Sequence, residues 1–176
     1  MGLKMEDDEH FMGLALYQAK KAYAMGEVPV GAVFVWKGEV IASAHNLVES
    51  LQDASAHAEL LCIRTAAEHL GNWRLSEGIL YSTLEPCAMC AGAILLSRVR
   101  TLVWGAPDLR HGAGGSWVNL FDGSHPIHHI EVRKNIAEEA CAELMRSFFR
   151  DRRQKKLSNC GCEGEGVADG VGSFVQ

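Results

Sequence analysis

His57 and Glu59 stand two positions apart in His57-Ala58-Glu59, and thirty residues after His57 the stretch Pro86-Cys87-Ala88-Met89-Cys90 supplies two cysteines spaced by three. An imidazole and two thiolates are zinc donors, and three protein ligands leave one tetrahedral position for water, as a catalytic rather than a structural ion requires. Glu59 then lies close enough to handle protons on that water without binding the metal itself. A zinc ion lowers the pKa of bound water from ~15.7 toward ~7, so the set would supply a nucleophilic hydroxide near neutral pH.

Two helix starts would bring these residues together. Cys87 and Cys90 then share one helix face and can reach one metal at about 2.3 Å per sulfur. Pro86 suits the first helical turn, where its missing N–H leaves no bond unmade. The positive helix end and the metal would both keep the thiols deprotonated. Taken alone, C-x-x-C also fits a redox pair or a structural zinc knuckle. A structural zinc would normally recruit a fourth Cys or His, however, and a redox pair has no use for His57-x-Glu59 at the start of a separate helix.

The elements that must hold these stretches can be read from periodicity. Leu14, Leu16, Tyr17, Ala19, Ala22 and Tyr23 recur near the helical period and predict a helix over 8–25, stopped by Gly26. Residues 30–36 and 40–45, joined at Lys37-Gly38, read as an antiparallel hairpin. A polar loop over 46–54 leads to a helix at 56–70, with Ser55 as its cap. A strand at 78–84, a helix at 86–97 and a strand at 100–106 give a β/α alternation, so both metal stretches fall at one sheet edge, where open α/β folds place their sites. Beyond Pro107 a glycine-rich loop with a helical turn near Trp117 is expected, then a strand at 127–132 and a closing helix at 135–156. Residues 158–176 are glycine-rich and nearly free of large apolar groups, so the organisation is one domain over 1–157 and a flexible tail.

At 176 residues with 48% hydrophobic content, the chain suits a single domain. The acidic start and the absence of a long uncharged apolar run point to a cytoplasmic enzyme with no membrane partner. Six cysteines in such a chain do not make a disulfide scaffold; Cys62 and Cys141 read as buried thiols, and Cys160 and Cys162 as incidental. A net charge of −5 argues against a surface coated for nucleic acid. Local charge differs, because Arg146, Arg150, Arg152, Arg153, Lys155 and Lys156 stand against the single acid Asp151. That run is either a solvated helix end or an RNA contact. Histidines outside the metal stretch read as surface or hydrogen-bonded residues. His128 and His129 would point to opposite faces of a strand, which disfavours a second metal site.

His57-Ala58-Glu59 followed by Pro86-Cys87-Ala88-Met89-Cys90 resembles the zinc-dependent nucleoside and nucleobase deaminases. Glu27-Val28-Pro29-Val30-Gly31-Ala32-Val33, Asn46, Thr83-Leu84-Glu85-Pro86-Cys87, Ala91-Gly92-Ala93, Gly105-Ala106-Pro107-Asp108, Gly112-Ala113-Gly114-Gly115-Ser116 and Phe148-Phe149-Arg150 narrow this, over residues 7–156, to the bacterial tRNA-specific adenosine deaminases. The resemblance implies a three-layer α/β/α sandwich of cytidine-deaminase-like type with a central five-stranded mixed sheet. It also implies one Zn2+ per subunit and a homodimer in which each active site is helped by its neighbour.

The reaction implied is hydrolytic deamination of adenosine to inosine at the wobble position of a tRNA anticodon loop, that of an arginine tRNA. Hydroxide would attack C6 of adenine while Glu59 protonates a ring nitrogen and then carries a proton to the departing ammonia. By the same resemblance Asn46 lines the base pocket, and Val30, Ala58 and Pro86 bind substrate. Asp108 lies beside the ribose or its neighbours, Phe149 near a flanking nucleotide, and Arg152 and Arg153 near phosphates. Read without the family, Asn46 is a solvated loop residue and Phe149 equally a core residue. The chain departs from the family at Ala54, where proline is usual, at Leu47, where a basic residue is usual, at Glu49, an added acid in the same loop, and at His128, to which no base contact is therefore transferred. Two competitors share the motif: a deaminase of a free base or nucleoside, of guanine or cytosine type, and a non-catalytic zinc module that binds RNA.

Overall fold

A computed structural model of the chain describes residues 5–123, 125–126 and 128–160. The element order is α1 (Met5–Ala24), β1 (Gly31–Trp36), β2 (Glu39–His45), α2 (Val48–Leu51), α3 (Ala58–Leu70), β3 (Ile79–Leu84), α4 (Ala88–Leu96), β4 (Thr101–Ala106), β5 (Glu131–Arg133) and α5 (Glu138–Cys160). The five strands form one sheet in the order β2-β1-β3-β4-β5. β1 is antiparallel to β2 and β3, whereas β4 is parallel to β3 and β5, so the sheet is mixed. Lys37 and Gly38 both have positive φ, the backbone that closes a two-residue hairpin between right-twisted strands.

The period of two along each strand sorts the core into two layers. Ala32, Phe34, Leu80, Leu102 and Trp104 face Cys62, Ile63 and Ala66 of α3 and Ile94 of α4. The alternate positions Val33, Val35, Ile79, Tyr81 and Val103 face Phe11, Met12 and Ala15 of α1 and Cys141 of α5. A sheet covered on both faces by helices is the expected three-layer sandwich. Truncating the fully buried Phe34 to alanine would cost about 3–5 kcal/mol, from lost burial and the cavity left between the sheet and α3. Gly31 lets β1 approach α1, because a Cβ there would sit 2.1 Å from the Ala15 carbonyl oxygen. Buried Asp8 ties the layers together, accepting from the Tyr81 hydroxyl at 2.7 Å and from Arg133 Nη1 at 3.0 Å.

Local boundaries differ from expectation for physical reasons. The loop over 46–54 contains a helix, α2, whose Glu49 and Ser50 N–H groups are capped by the distant carboxylate of Glu27. Ser55 does not cap α3; its N–H and hydroxyl both bind Asp53 Oδ1, and His57 takes the cap position. Pro86 likewise lies just outside its helix, with Cys87 as N-cap. Near Trp117 the described residues form turns and isolated bridges rather than a helix. The last strand begins at Glu131, and the closing helix is shifted to 138–160. The expected flexible tail lies outside the described residues from 161 onward.

Candidate active site

Two helix caps deliver the metal donors. His57 and Cys87, the N-caps of α3 and α4, both have extended backbone, and Cys90 follows one turn into α4. His57 Nδ1 is 3.6 Å from Cys87 Sγ and 3.5 Å from Cys90 Sγ. An ion bound tetrahedrally at about 2.05 Å to nitrogen and 2.3 Å to sulfur would set its ligands about 3.6 Å apart, so both separations match edges of a zinc tetrahedron. Among the described residues this is the one group of three or more His, Cys, Asp or Glu side chains whose donor atoms converge in this way. The donor set therefore fits zinc. Cys87 is held far below the ordinary thiol range, at about 3, chiefly by its hydrogen bond from Cys90 and then, against burial, by His57.

Glu59 lies in the first turn of α3 and is 3% exposed. Burial pushes its carboxyl above the ordinary range. The hydroxyl of buried Ser82, from the middle of β3, donates to Glu59 Oε1 at 3.3 Å. Ser82 was not singled out in the sequence, although its alternation with Leu80 and Leu84 places it on the face that meets α3. Elsewhere the simple expectations hold: Cys62 and Cys141 are buried thiols raised by burial, Cys141 to about 12. His128 Nε2 is 2.6 Å from the Val99 carbonyl oxygen.

The other expected site residues fall into three groups. Asn46, Val30, Ala58 and Pro86 are buried; Ala58 and Pro86 adjoin the cap residues His57 and Cys87, and Val30 and Asn46 flank the paired ends of β1 and β2. Asn46 is itself held, its N–H donating to the Val30 carbonyl at 3.0 Å and its Nδ2 to Glu27 Oε2 at 3.0 Å. Asp108 opens the loop after β4, and its Oδ1 accepts from the N–H groups of Arg110 and His111. Phe149, Arg152 and Arg153 form the third group, exposed on α5. Phe148, not Phe149, is the core residue, buried edge-on against Tyr23. Arg152 lies 5.6 Å over the Phe148 ring. Arg146 and Arg150 in the basic run are paired with Glu143, and Arg146 also with Glu139.

Glu27 and Glu85 stand inside the stretches that carry the family resemblance, where spacing alone implies no role for them. Both are buried carboxylates that bind backbone N–H groups. Burial raises each pKa, yet the donors around each outweigh burial and hold it below the ordinary range. The available signal was a single acid set among apolar neighbours, in Glu27-Val28-Pro29-Val30 and in Thr83-Leu84-Glu85-Pro86.

Residues 5–106 match the cytidine and deoxycytidylate deaminase zinc-binding region. The tRNA-specific adenosine deaminase of Bacillus subtilis (strain 168) is 49% identical over 152 residues, covering 86% of this chain and 94% of that protein. The chloroplastic tRNA(adenine(34)) deaminase of Arabidopsis thaliana is 50% identical over 161 residues; the match covers 82% of this chain but spans only 12% of that longer protein. A solved structure from "Biochemical and Structural Studies of A-to-I Editing by tRNA:A34 Deaminases at the Wobble Position of Transfer RNA" superposes with a TM-score of 0.74 at 47% identity, covering 77% of this chain and 98% of that one. Donor geometry, sheet order and these similarities agree: the chain belongs to the tRNA-specific adenosine deaminases, within the cytidine and deoxycytidylate deaminase zinc-binding family.

Proposed function

We propose that this protein hydrolytically deaminates adenosine to inosine at the wobble position of a tRNA anticodon, with an arginine tRNA as substrate. One observation carries the chemistry: the three donors converge beside a buried carboxylate that is not itself among them. A structural zinc site has no use for such a carboxylate, which disfavours a non-catalytic RNA-binding module. The relatives' activity on adenine 34 of tRNA supports the substrate.

In this reading His57, Cys87 and Cys90 hold one zinc per subunit. When bound, the ion supplies a nucleophilic hydroxide at neutral pH. Glu59 moves the protons, delivering one to a ring nitrogen of adenine as C6 is attacked and a further one to the departing ammonia. Water and adenosine thus become inosine and ammonia. Ser82 keeps the Glu59 carboxyl aimed. Asn46 holds the base, with Val30, Ala58 and Pro86 walling the pocket, and Asp108 meets the ribose or its neighbours. Phe149 stacks near a flanking nucleotide, and exposed Arg152 and Arg153 meet phosphates. Leu47 stands where a basic residue is usual and Glu49 adds an acid to the same loop, so phosphate attraction there is weaker than in relatives with a basic residue.

The working form in this proposal is a homodimer. α4 leaves Met89, Gly92, Ala93 and Leu96 on one apolar side, with Leu96 68% exposed, and a Cβ at Gly92 would meet nothing within 4 Å among the described residues. Catalysis is assigned to 1–157, with 158–176 outside the catalytic unit, and to the cytoplasm, where the substrate would be met. Among the described residues no helix is long and apolar enough to cross a membrane.

The test is incubation of zinc-loaded protein with an anticodon stem-loop and, separately, with adenosine, guanine and cytosine, followed by mass spectrometry for inosine and assay of ammonia. Inosine at the wobble position of the stem-loop is expected. Ammonia from a free base alone would replace this function with nucleobase deamination, and tight RNA binding without conversion would favour the non-catalytic module.

A further inference from the structure

Glu85 links the last residue of β3 to the cysteine pair, and it is 2% exposed. The segment 107–119 that closes over it forms no helix or named strand, so its backbone N–H groups need partners from elsewhere. Glu85 supplies them. Its Oε2 accepts from the Asp108 N–H at 3.0 Å, and its Oε1 from the Gly114 N–H at 2.8 Å and the Ser116 N–H at 3.1 Å. The Ser116 hydroxyl donates to the same carboxylate. A Cβ on Gly112 would lie 2.4 Å from Oε2, so the segment closes directly on the carboxylate and only glycine fits there.

The same segment is seated on the metal helix. The Ala113 N–H donates to the Pro86 carbonyl at 2.8 Å, and Gly112 forms an antiparallel bridge with Cys87. Lys134 Nζ adds a bond to the Gly114 carbonyl at 2.7 Å. Asp108 heads this clamped segment, and its side chain closes a turn onto Arg110 and His111 rather than reaching the core. The placement of the Asp108 carboxylate is therefore set by its backbone, and that backbone is held by Glu85.

We propose that Glu85 is a positioning residue for substrate binding: by clamping segment 107–119 to the Pro86-Cys87 junction, it holds Asp108 at the rim of the pocket, where a carboxylate can accept a hydrogen bond from a ribose hydroxyl. The identity of the substrate in this statement rests on the function proposed above; the clamp does not. Both Glu85 oxygens are committed to the segment's donors, so the residue acts on substrate through Asp108 rather than on the metal or the reacting base.

Glu85→Gln tests this, because one oxygen becomes an NH2 facing N–H donors while the side-chain shape is kept. In the zinc-loaded full chain, the measurements are zinc content, amide hydrogen exchange, and kcat and KM on an anticodon stem-loop, for Glu85→Gln, Asp108→Ala and the double variant. Zinc content should be unchanged, and the amides of Asp108, Gly114 and Ser116 should exchange about tenfold faster or more. KM should rise about tenfold with kcat within about threefold, and the double variant should match the worse single variant rather than the product of the two. Multiplicative KM effects or unchanged exchange at those amides would overturn the proposal. Loss of zinc with a parallel fall in kcat would overturn it too, by making Glu85 part of the metal frame. Should Glu85→Gln fail to fold, Ser116→Ala removes one donor without touching the carboxylate and should raise KM about threefold through the same non-additive coupling to Asp108→Ala, additivity again overturning the clamp. A wild-type chain that makes no inosine would reject the substrate, while the exchange measurement would still decide the clamp.

Discussion

Asn46 donates from Nδ2 to Glu27 Oε2 across 3.0 Å, and both side chains are buried. A carboxylate only accepts, so this bond fixes which end of the amide is nitrogen and turns Oδ1 the other way. Glu27 is itself held by the N–H and hydroxyl of Ser50, each at 2.7 Å. Glu27→Gln would free the Asn46 amide to flip, because a primary amide both donates and accepts. If Asn46 holds the base as proposed, kcat/KM on the anticodon stem-loop should fall about 10- to 100-fold. Steady-state kinetics check this, and an unchanged ratio would remove Asn46 orientation from the account.

The same carboxylate gives a pH dependence of stability. Burial raises the Glu27 pKa, but the bonds from Ser50, Glu49 and Asn46 outweigh it, so the folded value lies below the ordinary one. A carboxyl of this kind stabilises the fold above its unfolded pKa of about 4.3, and the contribution is lost as pH falls through the lower folded value. Wild type should exceed Glu27→Gln in thermal midpoint at neutral pH, with the gap narrowing below about pH 4.5. A gap that is constant over that window contradicts the assignment.

Metal removal should separate Cys87 from the buried thiols Cys62 and Cys141. Chelation should lower the thermal midpoint by several degrees and leave Cys87, half-buried and with a lowered pKa, open to alkylation at neutral pH. Cys62 and Cys141 are buried with raised pKa and should stay unlabelled in either form. Peptide mass spectrometry of alkylated samples reads this, and labelling of Cys87 unaffected by zinc would argue that it is not a ligand.

The apolar side of α4 carries the dimer prediction. Leu96→Glu places a charge on a side chain that is mostly exposed in its own chain, so the fold should survive. Sedimentation should show wild type as a dimer and this variant as a monomer with reduced activity. A monomeric wild type with full activity would remove the second subunit from the site.

Much of this was legible in the chain because it is written in short-range periods. The alternation of Val33 and Val35 against Ala32 and Phe34 is local, as are the spacings of His57 with Glu59 and Cys87 with Cys90, so the strands, the β/α alternation and the metal donors are legible in the residues, while the three-layer sandwich follows from the family resemblance. What escaped reading depends on partners far apart in sequence. α2 is four residues with no period of its own, capped by Glu27 from before β1. The helical turn expected near Trp117 does not form, because Glu85 takes the Gly114 and Ser116 N–H groups and a loop geometry results. Phe148 and Phe149 were indistinguishable by composition, and only the packing of α5 on Tyr23 separates them.

The central claim is that Glu59 transfers protons beside a zinc ion that it does not bind. Its most direct test is Glu59→Ala, purified with zinc, assayed for metal by mass spectrometry and for inosine in the anticodon stem-loop. One zinc per chain should remain, while turnover falls on the order of 10³-fold. A variant that keeps near-normal turnover, or that loses its zinc along with activity, would contradict the account.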